Sequence, residues 1–229
     1  MRLNGTGTTL RMAAAACSAL LFTACMSDAE REFRSMRAFT QWDDVYSVSR
    51  TATTGKKTVT CQFRRDGLAC HVDGKRKVII NQDGAFEVQN GKTEQLLAAV
   101  PALRVWSDGL PVFGQISGNG IRKTADGTFE MDAPSAGAPL TARLKFNPEG
   151  DVVSRELVSG AESLIRVSYS DYREVSGKHL PFRIRQEASG SKYGNIETVV
   201  REWKIDPELP DEMFRLSETS QQSKTSDTK

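Results

Sequence analysis

The sequence predicts a mainly β (α+β) domain. It would be a single curved antiparallel sheet forming an unclosed half-barrel, covered by an N-terminal amphipathic helix and a short middle helix. Three observations lead there. Apolar residues alternate with polar ones over many short runs, the two-residue period of strands that bury one face. Turn pairs punctuate these runs: Asp66-Gly67, Asp73-Gly74, Asp83-Gly84, Asn90-Gly91, Asp126-Gly127, Glu149-Gly150 and Ser176-Gly177. So many turns imply a meander of about nine to eleven strands, which must curl or gain a second layer to hide its apolar face. The chain has 229 residues, 38% hydrophobic and 26% charged, enough for one such core.

Residues 1–24 precede this domain. They contain Arg2 and Arg11 but no Asp or Glu, and Met12 to Phe22 is an apolar run too short to span a bilayer as a helix. This is the pattern of a signal peptide. The whole chain has 31 basic and 29 acidic residues, so without Arg2 and Arg11 the remainder balances at 29 of each. A balanced chain lacks the basic excess of a nucleic-acid binder, and no nucleic-acid partner is expected. Leu21-Phe22-Thr23-Ala24-Cys25 resembles the bacterial lipobox. The resemblance implies cleavage after Ala24 and attachment of acyl chains (palmitate among them) to Cys25, with residues 25–28 as a lipidated tether. Two or more chains give stable membrane anchoring. Ordinary cleavage near Ala24, releasing a soluble secreted protein, is the alternative. Met26 rather than Asp after Cys25 implies, by the enteric rule, the outer membrane facing the periplasm.

From Asp28 to Trp42, Ala29, Phe33, Met36 and Phe39 recur at spacings of three and four, predicting one amphipathic helix with Ser27 as N-cap. Strands follow. Val59, Cys61 and Phe63 alternate, as do Phe129, Met131 and Ala133, then Leu140, Ala142, Leu144 and Phe146. Ile165, Val167 and Tyr169 continue the series, and Phe182 and Ile184 end it. A four-residue loop Arg64 to Gly67 would place Cys61 opposite Cys70, so a structural disulfide between them is expected in an extracytoplasmic chain. A turn of Asp66-Gly67 alone would leave the pair diagonal. Thr93 to Val100 reads as the short middle helix, and Leu103 to Gln115 as an irregular apolar stretch. Residues 217–229 lack apolar side chains and read as a disordered polar tail.

The C-terminal part carries a further pattern. Tyr169-Ser-Asp-Tyr172-Arg-Glu-Val-Ser-Gly177-Lys-His-Leu-Pro181 is followed by Ile196-Glu-Thr-Val and by Trp203-Lys-Ile-Asp-Pro-Glu-Leu-Pro210-Asp-Glu-Met-Phe214. This resembles the ending of the LolA/LolB-like superfamily of lipoprotein-sorting proteins. The resemblance spans residues 29–216 loosely, and only the last 50 residues of that span carry specific motifs. It implies a half-barrel with a helical lid and an apolar cavity for a lipid or lipoprotein acyl chain. The expected cavity lining is Phe63, Phe86, Phe129, Met131, Leu144, Phe146, Val167, Tyr169 and Phe182. Leu110-Pro111-Val112-Phe113 would match a protruding membrane-inserting loop, or else form a buried bend. The alternative function is an envelope structural or protein-interaction lipoprotein with a filled core and an envelope protein as partner.

Catalytic signatures are missing. HExxH, GxSxG and phosphate-binding glycine loops do not occur, so no enzyme activity, cofactor or metal is expected. His71 and His179 sit beside turns, where solvated histidines are the plain expectation. Lys56-Lys57 and Lys75-Arg76-Lys77 fall at hairpin tips, where they would meet either solvent or anionic headgroups.

Overall fold

The computed structural model describes residues 26–81, 83–96, 119–133, 139–188 and 195–216. The signal segment with Cys25, Leu110–Phe113 and the tail 217–229 lie outside the described residues. Two short helices come first, α1 (Asp28–Ser35) and α2 (Arg37–Thr40). The strands follow in chain order: β1 (Ser47–Thr54), β2 (Lys57–Arg64), β3 (Ala69–Asp73), β4 (Arg76–Asn81), β5 (Gly84–Gln89) and β6 (Lys92–Gln95). The second set is β7 (Asn119–Lys123), β8 (Phe129–Ala133), β9 (Leu140–Phe146), β10 (Val152–Ser159), β11 (Glu162–Val175), β12 (Lys178–Ala188) and β13 (Ile196–Ile205). A 3-10 helix spans Asp211–Phe214.

All thirteen described strands form one antiparallel sheet in the order β6-β5-β4-β3-β2-β1-β13-β12-β11-β10-β9-β8-β7. The first and last strands meet in the middle, and β6 and β7 form the two edges, so the sheet is not closed. The strand number exceeds the sequence reading because two further tight turns, Thr54-Gly55 and Ser159-Gly160, add to the seven turn pairs. Both glycines take a positive φ, +60° and +57°.

The core sits on one face. Phe33, Trp42, Val48, Ala52, Phe129, Met131, Leu144, Val167, Tyr169, Leu180 and Trp203 form one buried cluster. The opposite face is a ladder of cross-strand ion pairs. Glu130 binds Arg122 and Arg143, and Glu156 binds Arg143 and Arg166. Such exposed pairs contribute little each, but they keep the long outer surface polar.

Three expectations change. The N-terminal helix is not continuous to Trp42: Met36 is extended (φ −61°, ψ 140°) and splits it. The break turns α2 so that the Ala38 N–H donates to the Gly150 carbonyl at 3.0 Å. Thr93 to Gln95 belongs to strand β6, because the Asn90-Gly91 turn folds it back to pair Thr93 with Val88 and Gln95 with Phe86; residues 97–100 of the expected middle helix lie outside the described residues.

The third correction is the disulfide. The β2–β3 loop holds three residues, with the Arg64 N–H donating to Leu68 O at 2.9 Å, so Cys61 pairs with His71 and Cys70 with Gln62. Cross-strand partners share a face and successive residues alternate, so the two cysteines point to opposite faces. Both are buried, and no disulfide joins them.

Candidate ligand groove and helix latch

The inner face has a filled end and a hollow end. At the filled end the Phe33 ring lies 4.6 Å from Phe39, 5.4 Å from Phe129 and 5.8 Å from Phe146, centroid to centroid. α1 can present Phe33 there because Ser27 Oγ accepts from the Glu30 N–H at 3.1 Å and fixes the start of the helix.

At the hollow end is a groove of about 160 Å³ formed by β1, β2, β3, β12 and β13. Val59, Ile184 and Ile196 supply apolar wall; Arg50, Lys57, His71 and Asp73 supply charge and polarity. Lys57 and Asp73 pair at 3.2 Å, with the Lys57 side chain largely exposed. Arg50 is only 3% exposed, yet it occupies the inner face. Its guanidinium donates to Cys61 Sγ at 3.2 Å and lies 5.7 Å from the Trp203 ring centroid, and the His71 Nδ1 is 3.4 Å from that sulfur. A dry cavity of about 150 Å³ admits benzene, and ligand pockets usually exceed about 300 Å³. The groove has room for a small group and not for a long chain.

A latch lies under α2, at the other end of β12 from the groove. Arg37 donates to both oxygens of Asp151, at 2.9 and 2.6 Å, and Asn147 Nδ2 donates to Oδ2 at 3.1 Å. His179 Nδ1 stands 2.7 Å from Asp151 Oδ2 and its ring stacks on Tyr172. The Gln41 side-chain oxygen accepts from the His179 N–H at 2.8 Å. Burial pushes the Asp151 carboxyl up, but the hydrogen bonds from Arg37, Asn147 and His179 outweigh it and hold the group below the usual carboxylate range. Burial pushes the Tyr172 phenol up. Gly150 allows the close docking: at φ +85°, a Cβ there would stand 2.8 Å from the Arg37 nitrogen. The void beside this cluster is about 10 Å³, room for one water and no substrate. Through Asp151 and His179, the cluster ties α2 to the starts of β10 and β12. Among the described residues no group of three or more His, Cys, Asp or Glu side chains could hold a metal ion.

The expected lining residues fall into three groups. Phe129, Met131, Leu144, Val167, Tyr169 and Phe182 lie together in the buried cluster, and Phe63 and Phe146 pack against it. Phe86 is on the other face: it pairs with Ile79, which pairs with Cys70, opposite Gln62. There it belongs to a small outer apolar layer beside the 3-10 helix, which lies against β3 and β4 and buries Phe214. None of the nine borders the groove. Neither histidine stands simply in solvent, since His71 lines the groove and His179 is in the latch. Arg50 and Asp151 escape sequence reading because a charged residue ordinarily signals solvent. The available signal was phase: in Val48-Ser-Arg50-Thr-Ala52, the arginine occupies an inward position.

The fold has counterparts among solved structures. A DUF1329 family protein from Desulfovibrio piger superposes with a TM-score of 0.51 at 11% identity, over 82% of this chain and 98% of that one. The two chains share a fold. The LolA superfamily protein NE2245 from Nitrosomonas europaea is similar over 78% of this chain and 96% of its own, with a TM-score of 0.38 and 13% identity. An outer-membrane lipoprotein-sorting protein domain from Vibrio parahaemolyticus matches over 82% and 94%, with a TM-score of 0.43 and 9% identity. No family model and no curated protein matches the sequence.

Proposed function

We propose that this chain is a cell-envelope lipoprotein whose half-barrel binds a lipid or lipoprotein acyl chain, as a carrier, acceptor or sensor. The observation that carries the reading is the division of one inner face into a groove and an apolar end plugged by a short, kinked helix pair. The groove is too small for a long chain, so the ligand enters by displacing Phe33, and the Arg37–Asp151 latch sets the cost of that displacement. The lipobox-like Cys25 supports a lipid anchor at the outer membrane, facing the periplasm, and the chain acts as a binder rather than a catalyst. One observation favours a second reading: the ring contacts of Phe33 fill the apolar end completely enough for a structural or protein-interaction role, with an envelope protein as partner.

Titration with a fluorescent fatty acid separates the two. The first reading expects saturable binding that Ile196→Trp, which fills the groove mouth, weakens. A folded protein that shows no uptake would leave the second. The anchor is tested independently: Cys25→Ala should abolish palmitate labelling and release the protein from membranes, and persistent membrane association would refute the anchor.

A further inference from the structure

The charged hairpin tips do not scatter over the molecule. Strands β1 to β6 run as a meander, so the β1–β2, β3–β4 and β5–β6 turns all lie at one end of the sheet. Each is two strands from the next, roughly 10 Å given the ~4.8 Å strand spacing. Those three turns carry Lys56 and Lys57, Lys75 and Arg76, and Lys92. The nearby carboxylates are Asp73 and Glu87, engaged by Lys57 at 3.2 Å and Arg76 at 2.6 Å, and the exposed Glu94 opposite Glu87. Lys56, Lys75 and Lys92 are exposed at the rim.

The opposite end has the reverse character. The β2–β3 and β4–β5 turns and the exit from β13 hold Asp66, Asp83, Asp206 and Asp211. The arginines there are used internally: Arg64 pairs with Asp66 and Asp211, and Arg65 donates to the carbonyls of Val45 and Trp42. The β1–β6 half of the sheet is therefore more basic at the first of these ends than at the other. Its basic end is also the end where the groove opens, between Lys57, Asp73 and Ile196.

We propose that the basic rim docks the open end of the half-barrel on an anionic lipid bilayer. Charge complementarity selects the surface, and the half-apolar groove behind the rim favours a bilayer over an acidic protein as the occupant. Three lysines about 10 Å apart span two or three headgroups, with Arg50 and His71 set back in the groove. The inference deepens the lipid-binding reading and rests on it for its purpose, but docking can be measured without ligand uptake.

The test is sedimentation of the full chain carrying Cys25→Ser, which removes the acyl anchor, with phosphatidylcholine vesicles lacking or containing phosphatidylglycerol. Binding to the anionic vesicles should exceed binding to the neutral ones and fall as salt is raised. Lys56→Ala, Lys75→Ala and Lys92→Ala should each weaken it roughly fivefold, and the triple variant about a hundredfold. A control triple with the same charge change, Arg183→Ala, Arg201→Ala and Lys204→Ala, should retain most of the binding. Equal binding to both vesicle types, or an equal loss in the control, would overturn the proposal; the first result would assign the rim to an acidic protein instead. Fluorescent fatty-acid uptake by the rim variants is expected to persist. Its absence from the parent chain would count against the lipid-binding reading and not against docking.

Discussion

Asp151 fastens α2 to the sheet, and Asp151→Asn should undo that fastening at neutral pH while changing little in acid. The carboxylate is 1% exposed and receives two hydrogen bonds from Arg37, itself 37% exposed, with two more, from Asn147 and His179, at Oδ2. Breaking a buried ion pair costs about 3–5 kcal/mol, and hydrogen bonds to charged groups contribute about 1.5–3 kcal/mol each. Arg37 can turn to water once released, which places the expected loss near the low end, about 3 kcal/mol. For a domain of this size that corresponds to a fall in Tm of about 6–12 °C. The pH dependence has a definite sign. The folded carboxyl lies below its unfolded value of about 3.9, so its stabilisation is fully present above that value and is lost as pH falls through the folded one. Urea melts of parent and variant at neutral pH and at successively lower pH measure both quantities. A difference under about 1 kcal/mol at neutral pH, or one that stays constant into acid, would refute the latch.

Further outcomes follow from the filled end and the cysteines. Phe33→Ala should destabilise the fold by about 3–5 kcal/mol, since the ring is buried among three others. It should also tighten fatty-acid binding, because the ligand no longer has to expel the ring; weaker binding by folded Phe33→Ala protein would contradict ligand entry at that end. Cys61 and Cys70 should both react with a thiol reagent in unfolded, unreduced protein, and a pair that reacts only after reduction would restore the disulfide.

The sheet was legible in the sequence because alternation and turn glycines are local signals. Asp66-Gly67 marked the β2–β3 turn, but its loop length was not fixed by the pair. One residue of difference moved Cys61 from Cys70 to His71, since a single step in register reverses every side chain. Phe86 was assigned to the wrong face for a related reason: its strand carries apolar residues on both sides, Ala85 inward and Phe86 outward, and both are buried. The outer partner, Phe214, arrives from the far end of the chain, and no local pattern announces it. Arg155 repeats the lesson of Arg50. It is 4% exposed in the row Phe129–Leu144–Arg155–Val167, where alternation alone would place an apolar residue. The latch was not legible at all, because Arg37, Asp151 and His179 come together only through tertiary packing.

The central claim is that the inner face of this half-barrel accepts an acyl chain. Native mass spectrometry of the untagged mature protein after mild extraction from membranes tests it most directly. A population with the added mass of a bound lipid is expected, displaced by excess fatty acid and increased by Phe33→Ala. A clean apo mass for both proteins, with no adduct on adding fatty acid, would contradict it.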